Sequence, residues 1–289
     1  GLNAECLEPE EVRRLEPSLT PDVRGGIFLP DDGCVNNRRL AKALAAACAR
    51  RGVRLLSHTE ALRFLVRGSE ASAGREVSTS GGEVLGVATQ RGELWAGSVV
   101  LAAGAWSKQL AGQLGVELPV FPVKGEIIAL QSPGEPLRHI VFAKGTCYLV
   151  PRAGGELLAG ATQLDAGFRD APTLGGLMAL ARGASALAPA LNEAQVTGWW
   201  GGLRPGTPDG KPILGPLPGW KGLYVAAGHF RHGILLGPIS GAAVAKMVLG
   251  ERIPFDFDER LFSPGRFASI SEAAPAAQRA RGAEYGRGA

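Results

Sequence analysis

The sequence of 289 residues is long enough for one large domain or two modest domains with a substantial core. Hydrophobic residues make up 45% and charged residues 20%, which is a soluble globular balance, and no apolar run reaches the ~18 residues of a membrane-spanning helix. The net charge of +4 arises from scattered arginines. It argues weakly for anionic ligands and against a nucleic-acid surface.

The cysteines and histidines are dispersed along the chain. Cys6, Cys34, Cys48 and Cys147 have no C-x-x-C spacing, and a chain of this length does not depend on disulfides for stability. No two histidines have the H-x-x-x-H spacing of a metal site. These patterns predict reduced cysteines, a cytoplasmic protein and no bound metal.

The first part of the chain predicts one α/β unit. Residues 5–35 combine prolines, glycines and acidic residues, which predicts turns and short extended pieces. The Ala- and Leu-rich residues 38–49, capped by Asn36 or Asn37, predict a helix. Residues 53–56 are apolar at alternate positions and predict the strand that follows it.

The next part predicts a surface loop and a hairpin. Residues 67–82 are poor in apolar side chains and read as a loop. Residues 84–89 and 93–103 predict two strands, joined at Arg91 and Gly92, of which the second is buried. A helix follows through residue 114.

Antiparallel strands are predicted across the centre of the chain. Apolar and polar positions alternate over residues 120–165, which favours a sheet covered on one face. Residues 174–187 predict a helix that stops before Pro189. Residues 266–289 are rich in Ala, Arg, Gly and Ser, which predicts a disordered tail.

A glycine-rich turn follows the apolar residues 223–227. Residues 228–237 form this turn, and small residues at 240–249 predict a helix after it. This layout presents backbone N–H groups and a positive helix end to an anion or an electron-rich cofactor edge. Gly228 permits close backbone approach and Arg231 adds a permanent set of donors. The alternative is an ordinary strand, turn and helix with a solvated arginine.

A second notable segment contains Arg204. It lies between bulky apolar residues and a Pro/Gly turn within residues 199–215. An arginine held in apolar surroundings needs an anionic or carbonyl partner. That partner is either a substrate carboxylate or an internal Asp or Glu.

Together the two segments carry a resemblance to a known family. Gly-Leu-Arg-Pro-Gly-Thr-Pro-Asp-Gly-Lys-Pro at 202–212 and Ala-Gly-His-Phe-Arg-His-Gly-Ile-Leu-Leu at 227–236 resemble the C-terminal half of the glycine oxidases, within the D-amino-acid-oxidase-like flavoenzymes. Upstream segments follow in the order that this family shows, at 99–107, 123–126, 147–152 and 157–162. The resemblance covers roughly residues 5–260.

The resemblance implies an α/β fold in which a doubly wound FAD-binding region is interleaved with an antiparallel-sheet substrate region. The FAD-binding region would comprise residues 36–122 and 206–262, and the substrate region residues 5–35 and 123–205. The implied reaction is oxidation of glycine, sarcosine or a small D-amino acid by FAD and O₂, which yields an imine, then an oxo acid and ammonia, with H₂O₂. The resemblance also implies a link to thiamine biosynthesis.

The resemblance also implies roles for individual residues. Arg204 would bind the substrate carboxylate as the principal catalytic residue, with help from the Tyr148 hydroxyl, although a tyrosine on a strand is often simply packed. Arg231 would line the site, and Gln163 and Thr146 would form the cavity wall. The implied FAD contacts are Ala61, Gly104, His229, Phe230, Arg231, His232, Gly233, Ile234 and Leu235.

One expected motif is absent from the 289 residues. The family seats the FAD pyrophosphate at a G-x-G-x-x-G turn, and the sequence contains none. We therefore expect the chain to lack the N-terminal βαβ unit of ~30 residues and to bind FAD weakly by itself. The alternative to an enzyme is a non-catalytic carboxylate-binding remnant, or a subunit whose flavin site is completed by a partner chain or a homo-oligomer.

Overall fold

The computed structural model describes residues 3–67, 81–132, 134–135, 137–143, 145 and 147–267. The chain divides into two compact units. In the described part, unit 1 consists of residues 3–36 and 124–203, and unit 2 of residues 37–123 and 204–267 with the gap at 68–80. The division runs close to the predicted region boundaries. Which unit binds cofactor and which binds substrate stays a prediction.

Helices and strands alternate irregularly along the chain. In order they are β1 (Glu5–Leu7), α1 (Pro9–Leu15), β2 (Gly26–Phe28), α2 (Asn37–Arg50), β3 (Ala61–Arg67), β4 (Gly82–Thr89), β5 (Gly92–Trp95), β6 (Val99–Leu101), α3 (Ser107–Gly112), β7 (Phe121–Gln131), β8 (Val141–Phe142), β9 (Tyr148–Pro151), β10 (Glu156–Gly160), α4 (Leu174–Leu187), β11 (Gln195–Gly206), β12 (Ile213–Pro216), β13 (Trp220–Lys221), β14 (Leu223–Ala227), α5 (Gly233–Leu249) and α6 (Glu259–Phe262). This mixture of helices and sheets is the α/β class that the sequence predicts.

Unit 1 is built on a five-stranded sheet in the order β11-β7-β10-β9-β8. β10 pairs antiparallel with both β7 and β9, as the alternating pattern of residues 120–165 predicts. Helix α4 begins at Leu174 and ends at Leu187, as predicted, because the Thr173 side chain caps its start and Pro189 follows its end. The core between them includes Leu149 and Ala159, both fully buried.

The start of unit 1 contains a helix that the sequence analysis misses. Residues 5–35 hold the short β1–β2 pair, as expected, but α1 lies between these strands. The signal is present in the sequence, since Pro9 occupies the first turn and the Glu8 N–H donates to the Glu11 carboxylate at 2.9 Å. Both features favour a helix start.

Unit 2 contains two sheets in its described part. One has the order β12-β14-β6, and the other joins β13, β4 and β3, with β5 paired to β4. β14 runs parallel to β6 and antiparallel to β12. The core gathers around Ile213, Leu223 and Val225, each 0% exposed.

Two strand predictions in unit 2 are wrong. Residues 53–56 are exposed and form no strand. A strand requires a hydrogen-bonded neighbour, and none of the described strands pairs with these residues. Residues 93–103 are not one strand but β5 and β6, which belong to different sheets. The break falls at residues 96–98, where the Ala96 N–H donates to the Leu85 carbonyl and Gly97 interrupts the apolar run.

The C-terminal part departs from prediction at two further points. Helix α5 begins at Gly233, seven residues before the predicted 240–249, and it includes Pro238. Arg266 and Phe267 are not part of a disordered tail, because they form a 3-10 turn (Pro264–Phe267) in which Phe267 is buried in the core. The rest of the predicted tail and most of the predicted 67–82 loop lie outside the described residues. Within the described ranges, no helix has both the length and the apolar character needed to cross a membrane.

Candidate functional site

Two of the predicted cofactor segments leave the same edge of one sheet in unit 2. Parallel strands β6 and β14 are in register, with Leu101 opposite Val225. The chain then turns at Gly104 (φ 55°) after β6 and at Gly228 (φ 77°) after β14. The carboxyl ends of adjacent parallel strands form the edge at which α/β proteins bind cofactors. The structure therefore brings Gly104 and the glycine-rich turn together.

The glycine-rich turn is held against the end of β11. A Cβ atom at Gly228 would lie 2.5 Å from Thr207 Cγ2, so close approach as well as the positive φ requires glycine there. The Phe230 N–H donates to the Pro205 carbonyl at 3.0 Å, and Phe230 itself adopts φ 47°. A non-glycine residue in this conformation is held by its surroundings at some energetic cost.

His229 connects the turn to helix α5. Its Nε2 lies 2.9 Å from Oγ of Ser240, which is buried. Burial lowers the pKa of His229 below its ordinary value of 6.5, so the ring is neutral near pH 7. Ser240 is a residue that sequence reasoning misses. The available signal is a hydroxyl in the run of apolar and small residues that precedes Lys246 in α5.

The first turn of α5 offers backbone donors. Gly233, Ile234 and Leu235 open this helix and are exposed, and the N-cap His232 supplies no side-chain hydrogen bond. The first N–H groups of a helix have no intrahelical acceptor and carry the positive end of the helix dipole. Arg231 is exposed and its guanidinium lies 5.2 Å from the centre of the Phe230 ring. This arrangement suits a ligand with electron-rich acceptors.

Arg204 lies near the end of β11 and is half-buried. Its neighbour Pro205 accepts the hydrogen bond from Phe230, and Gly206 is buried with the Phe121 ring 2.5 Å from where its Cβ would be. The backbone on the C-terminal side of Arg204 is therefore fixed next to the glycine-rich turn.

The turn that follows Arg204 depends on the distant Arg266. Arg266 Nε and Nη2 donate to the two carboxylate oxygens of Asp209 at 2.9 and 3.1 Å, and Nη2 also donates to the Lys211 carbonyl. Burial by itself would raise the pKa of Asp209, but the hydrogen bonds and charges of Arg266 and Lys211 outweigh it and lower the pKa. Such a bidentate pair is among the stronger polar contacts in proteins.

Ala61 is not brought to the same sheet edge. It starts β3 and pairs with Thr89 of β4, in the sheet that does not contain Gly104 and Gly228. Its backbone contact to the cofactor stays a prediction.

Unit 1 contains the predicted substrate-wall residues. Tyr148 begins β9 and is half-buried, and its ring lies directly against Gly160 of β10, where a Cβ would be 2.7 Å from the hydroxyl. Gln163 follows β10 and is half-buried. Thr146 lies outside the described residues, and its predicted role stays a prediction.

Comparison with known proteins identifies the class. The sequence profile of the family described as DAO, FAD dependent oxidoreductase, matches residues 1–247. The chain therefore belongs to this family of FAD-dependent oxidoreductases, as the resemblance implies.

Several glycine oxidases are similar to the chain. The glycine oxidase of Geobacillus kaustophilus is 39% identical over 257 residues, which are 89% of this chain and 64% of the relative. Its crystal structure superposes with a TM-score of 0.81, covering 92% of this chain and 68% of that one. The bifunctional protein ThiO/ThiG of Synechocystis is 37% identical over 94% of this chain and 39% of its own length. The chain thus spans less than two thirds of the curated relatives it matches.

The residues of unit 2 fit part of the FAD that this family uses. The uncapped N-terminal amides of α5 and the close approach at Gly228 suit the carbonyl-rich edge of a flavin ring. The described residues contain no G-x-G-x-x-G turn for the pyrophosphate. The predicted ring contacts are therefore supported by geometry and remain predictions.

Proposed function

We propose that this chain belongs to an enzyme that oxidises a small amino acid at its α-carbon with FAD as the electron acceptor. The family and the similarity to glycine oxidases support the reaction class. In the overall reaction the amino acid, O₂ and water give an oxo acid, H₂O₂ and ammonia, or methylamine in the case of sarcosine. Bound FAD supplies the acceptor for the hydride that leaves the α-carbon.

The observation that carries the proposal is the hydrogen bond between Phe230 N–H and the Pro205 carbonyl. It fixes the backbone beside Arg204 to the turn whose donors suit the flavin ring. An arginine held there can bind a carboxylate through two parallel hydrogen bonds. A carboxylate bound in this way presents the adjacent carbon to the ring, which is the positioning that hydride transfer requires.

The remaining predicted residues complete this proposal. Tyr148 adds a neutral hydroxyl contact to the carboxylate, and Gln163 and Thr146 limit the size of the substrate side chain. Glycine, sarcosine and small D-amino acids are the candidate substrates. Gly233, Ile234 and Leu235 donate backbone hydrogen bonds to the ring, Arg231 lines the site, and the neutral His229 holds the turn to Ser240.

The test uses the protein at its full length. We expect the purified protein to show a flavin spectrum that glycine, sarcosine or D-alanine bleaches in the absence of O₂. Re-admission of O₂ should restore the spectrum with formation of one H₂O₂ per flavin. Bound flavin that none of the three substrates reduces would contradict the proposal, and carboxylate binding without reduction would favour the non-catalytic alternative.

A further inference from the structure

A buried ion pair in unit 1 has no part in the site described so far. Lys124 and Glu126 lie on β7 with Nζ and Oε1 2.8 Å apart, and their side chains are 3% and 0% exposed. Removing two charges from water costs several kcal/mol per ion, and apolar residues of similar volume often replace such a pair without loss of stability. Stability alone therefore does not account for a pair at this position.

The Glu126 carboxylate joins three segments of the chain. Its Oε1 accepts hydrogen bonds from Lys124 Nζ and from the Thr173 backbone N–H and hydroxyl, at 2.8 to 3.0 Å. Its Oε2 accepts one from the Thr162 hydroxyl at 3.2 Å, and the Thr162 hydroxyl in turn accepts the Glu126 N–H at 2.9 Å. β7, the segment after β10 and the start of α4 are thereby linked at one carboxylate.

Lys124 also binds the segment that follows β10. Its backbone N–H and carbonyl both bond to Leu164, each at 2.9 Å, and its ammonium donates to the Ala171 carbonyl at 3.0 Å. Thr162 is thus bound to Glu126 and Leu164 to Lys124. Gln163 lies between these two fixed residues.

The segment also supports Tyr148. Gly160 pairs with Tyr148 on one side and with Ile127 on the other, and the Tyr148 ring lies against the Gly160 backbone. A shift in the path of residues 160–164 would therefore move the surface on which the tyrosine ring lies. Gln163 and Tyr148 are both predicted substrate contacts, and both depend on this short stretch.

We infer that the Lys124–Glu126 pair is a positioning element that sets the substrate preference of the enzyme through Thr162, by fixing Gln163 and Tyr148. The inference rests on the proposed function. Neither charged group touches the substrate. Their contribution is to hold the wall segment, and misplacement of a substrate contact by about 1 Å can cost about 100-fold in rate.

The sharpest test is a matched pair of substitutions at Thr162 in the full-length protein. Thr162→Val keeps the side-chain shape but removes both hydrogen bonds to Glu126, whereas Thr162→Ser retains the hydroxyl. We expect Thr162→Val to lower kcat/KM per bound flavin by about tenfold or more and to change the ratio of glycine to D-alanine turnover several-fold. Thr162→Ser should stay within about threefold of the wild type for both quantities.

Acetate binding separates positioning from stability without relying on turnover, and hydrogen exchange locates the structural change. Thr162→Val should speed hydrogen exchange at the Leu164 amide, which donates to the Lys124 carbonyl. It should also weaken the binding of acetate, which is monitored through the flavin spectrum. A purely structural role would lower Tm while leaving acetate binding, the substrate ratio and kcat/KM per flavin unchanged. That result would overturn the inference.

Glu126→Gln provides an independent variant. It keeps one carbonyl oxygen as an acceptor for Thr173 but removes the charge opposite Lys124. We expect it to shift the glycine to D-alanine ratio in the same direction as Thr162→Val. If it does not fold, the Thr162 pair decides the question. A wild-type protein without turnover overturns the proposed function and this inference together. An active wild type whose Thr162→Val variant has the same kcat/KM, substrate ratio and acetate binding overturns the inference only.

Discussion

The two units fix their candidate site segments by different means. In unit 1, side-chain hydrogen bonds that converge on Glu126 hold Thr162, in addition to the backbone hydrogen bonds between Leu164 and Lys124. In unit 2, the glycine-rich turn is held by backbone hydrogen bonding at Phe230 and by close approach at Gly228. The first arrangement is sensitive to loss of a side chain. The second is sensitive to addition of one.

Loss of Arg204 should have the largest effect on activity. In the full-length protein, Arg204→Ala should reduce kcat/KM by about 30- to 1,000-fold, because a charge-assisted bidentate contact is worth about 2–4 kcal/mol. Steady-state kinetics with glycine measure the effect. Arg260→Ala, which removes an exposed arginine of unit 2, is the control. A decrease of less than about threefold for Arg204→Ala would show that the assignment is wrong.

Addition of a methyl group at Gly228 tests the close approach in unit 2. Gly228→Ala and Gly250→Ala both place a side chain at positive φ, 77° and 66°, but only the first meets a neighbour within 4 Å. The clash with Thr207 should make Gly228→Ala about 1–3 kcal/mol more destabilising than Gly250→Ala. Chemical denaturation measures the difference. Equal losses would mean that the turn can move away from Thr207.

Tyr148→Phe should have a smaller effect than Arg204→Ala. A neutral hydroxyl contact contributes about 0.5–1.5 kcal/mol, so KM should rise by about 2- to 10-fold while kcat changes little. The ring remains in place against Gly160, which isolates the hydroxyl. If the loss in kcat/KM exceeded that of Arg204→Ala, the phenol would have a chemical role.

The half-buried His229 predicts a modest dependence of stability on pH. Its pKa is lowered by burial, so the unfolded chain binds a proton that the folded chain does not as the pH falls below about 6.5. The contribution of His229 to stability is complete above the pKa that its ring has in the unfolded chain. This contribution declines as the pH falls toward the lower pKa of the ring in the folded chain. Denaturation at pH 7.5 and 5.5 should show a smaller decline for His229→Gln than for the wild type. Identical declines would contradict the lowered pKa.

Sequence patterns predict unit 1 better than unit 2 for a physical reason. β10 pairs with β7 and β9, which are near it in sequence, and α4 has its Thr173 cap and its Pro189 stop within a few residues. Local patterns determine such elements. In unit 2, β6 pairs with β14, which lies more than 100 residues later in the sequence. The apolar run 93–103 therefore does not reveal that it contributes strands to two different sheets.

The candidate site shows the same limit. Arg204, Gly104 and Gly228 could be found from the sequence because an arginine and two glycines lie in segments with recognisable patterns. The structure shows that the two glycines follow adjacent parallel strands at one edge of a sheet. Ser240 and Glu126 could not be assigned a place in the site, because each acts through contacts formed only on folding. A lone hydroxyl or carboxylate carries no local signal of its partner.

The ion pair between Arg266 and Asp209 affects where a shortened version of this protein can end. Similarity to the family profile stops at residue 247, which invites an expression boundary near that position. Such a deletion would remove the guanidinium that binds Asp209 and the Lys211 carbonyl, together with the buried Phe267 ring. The turn immediately after Arg204 would lose a bidentate contact from a residue 57 positions further along the chain. An expression boundary should therefore lie beyond residue 267.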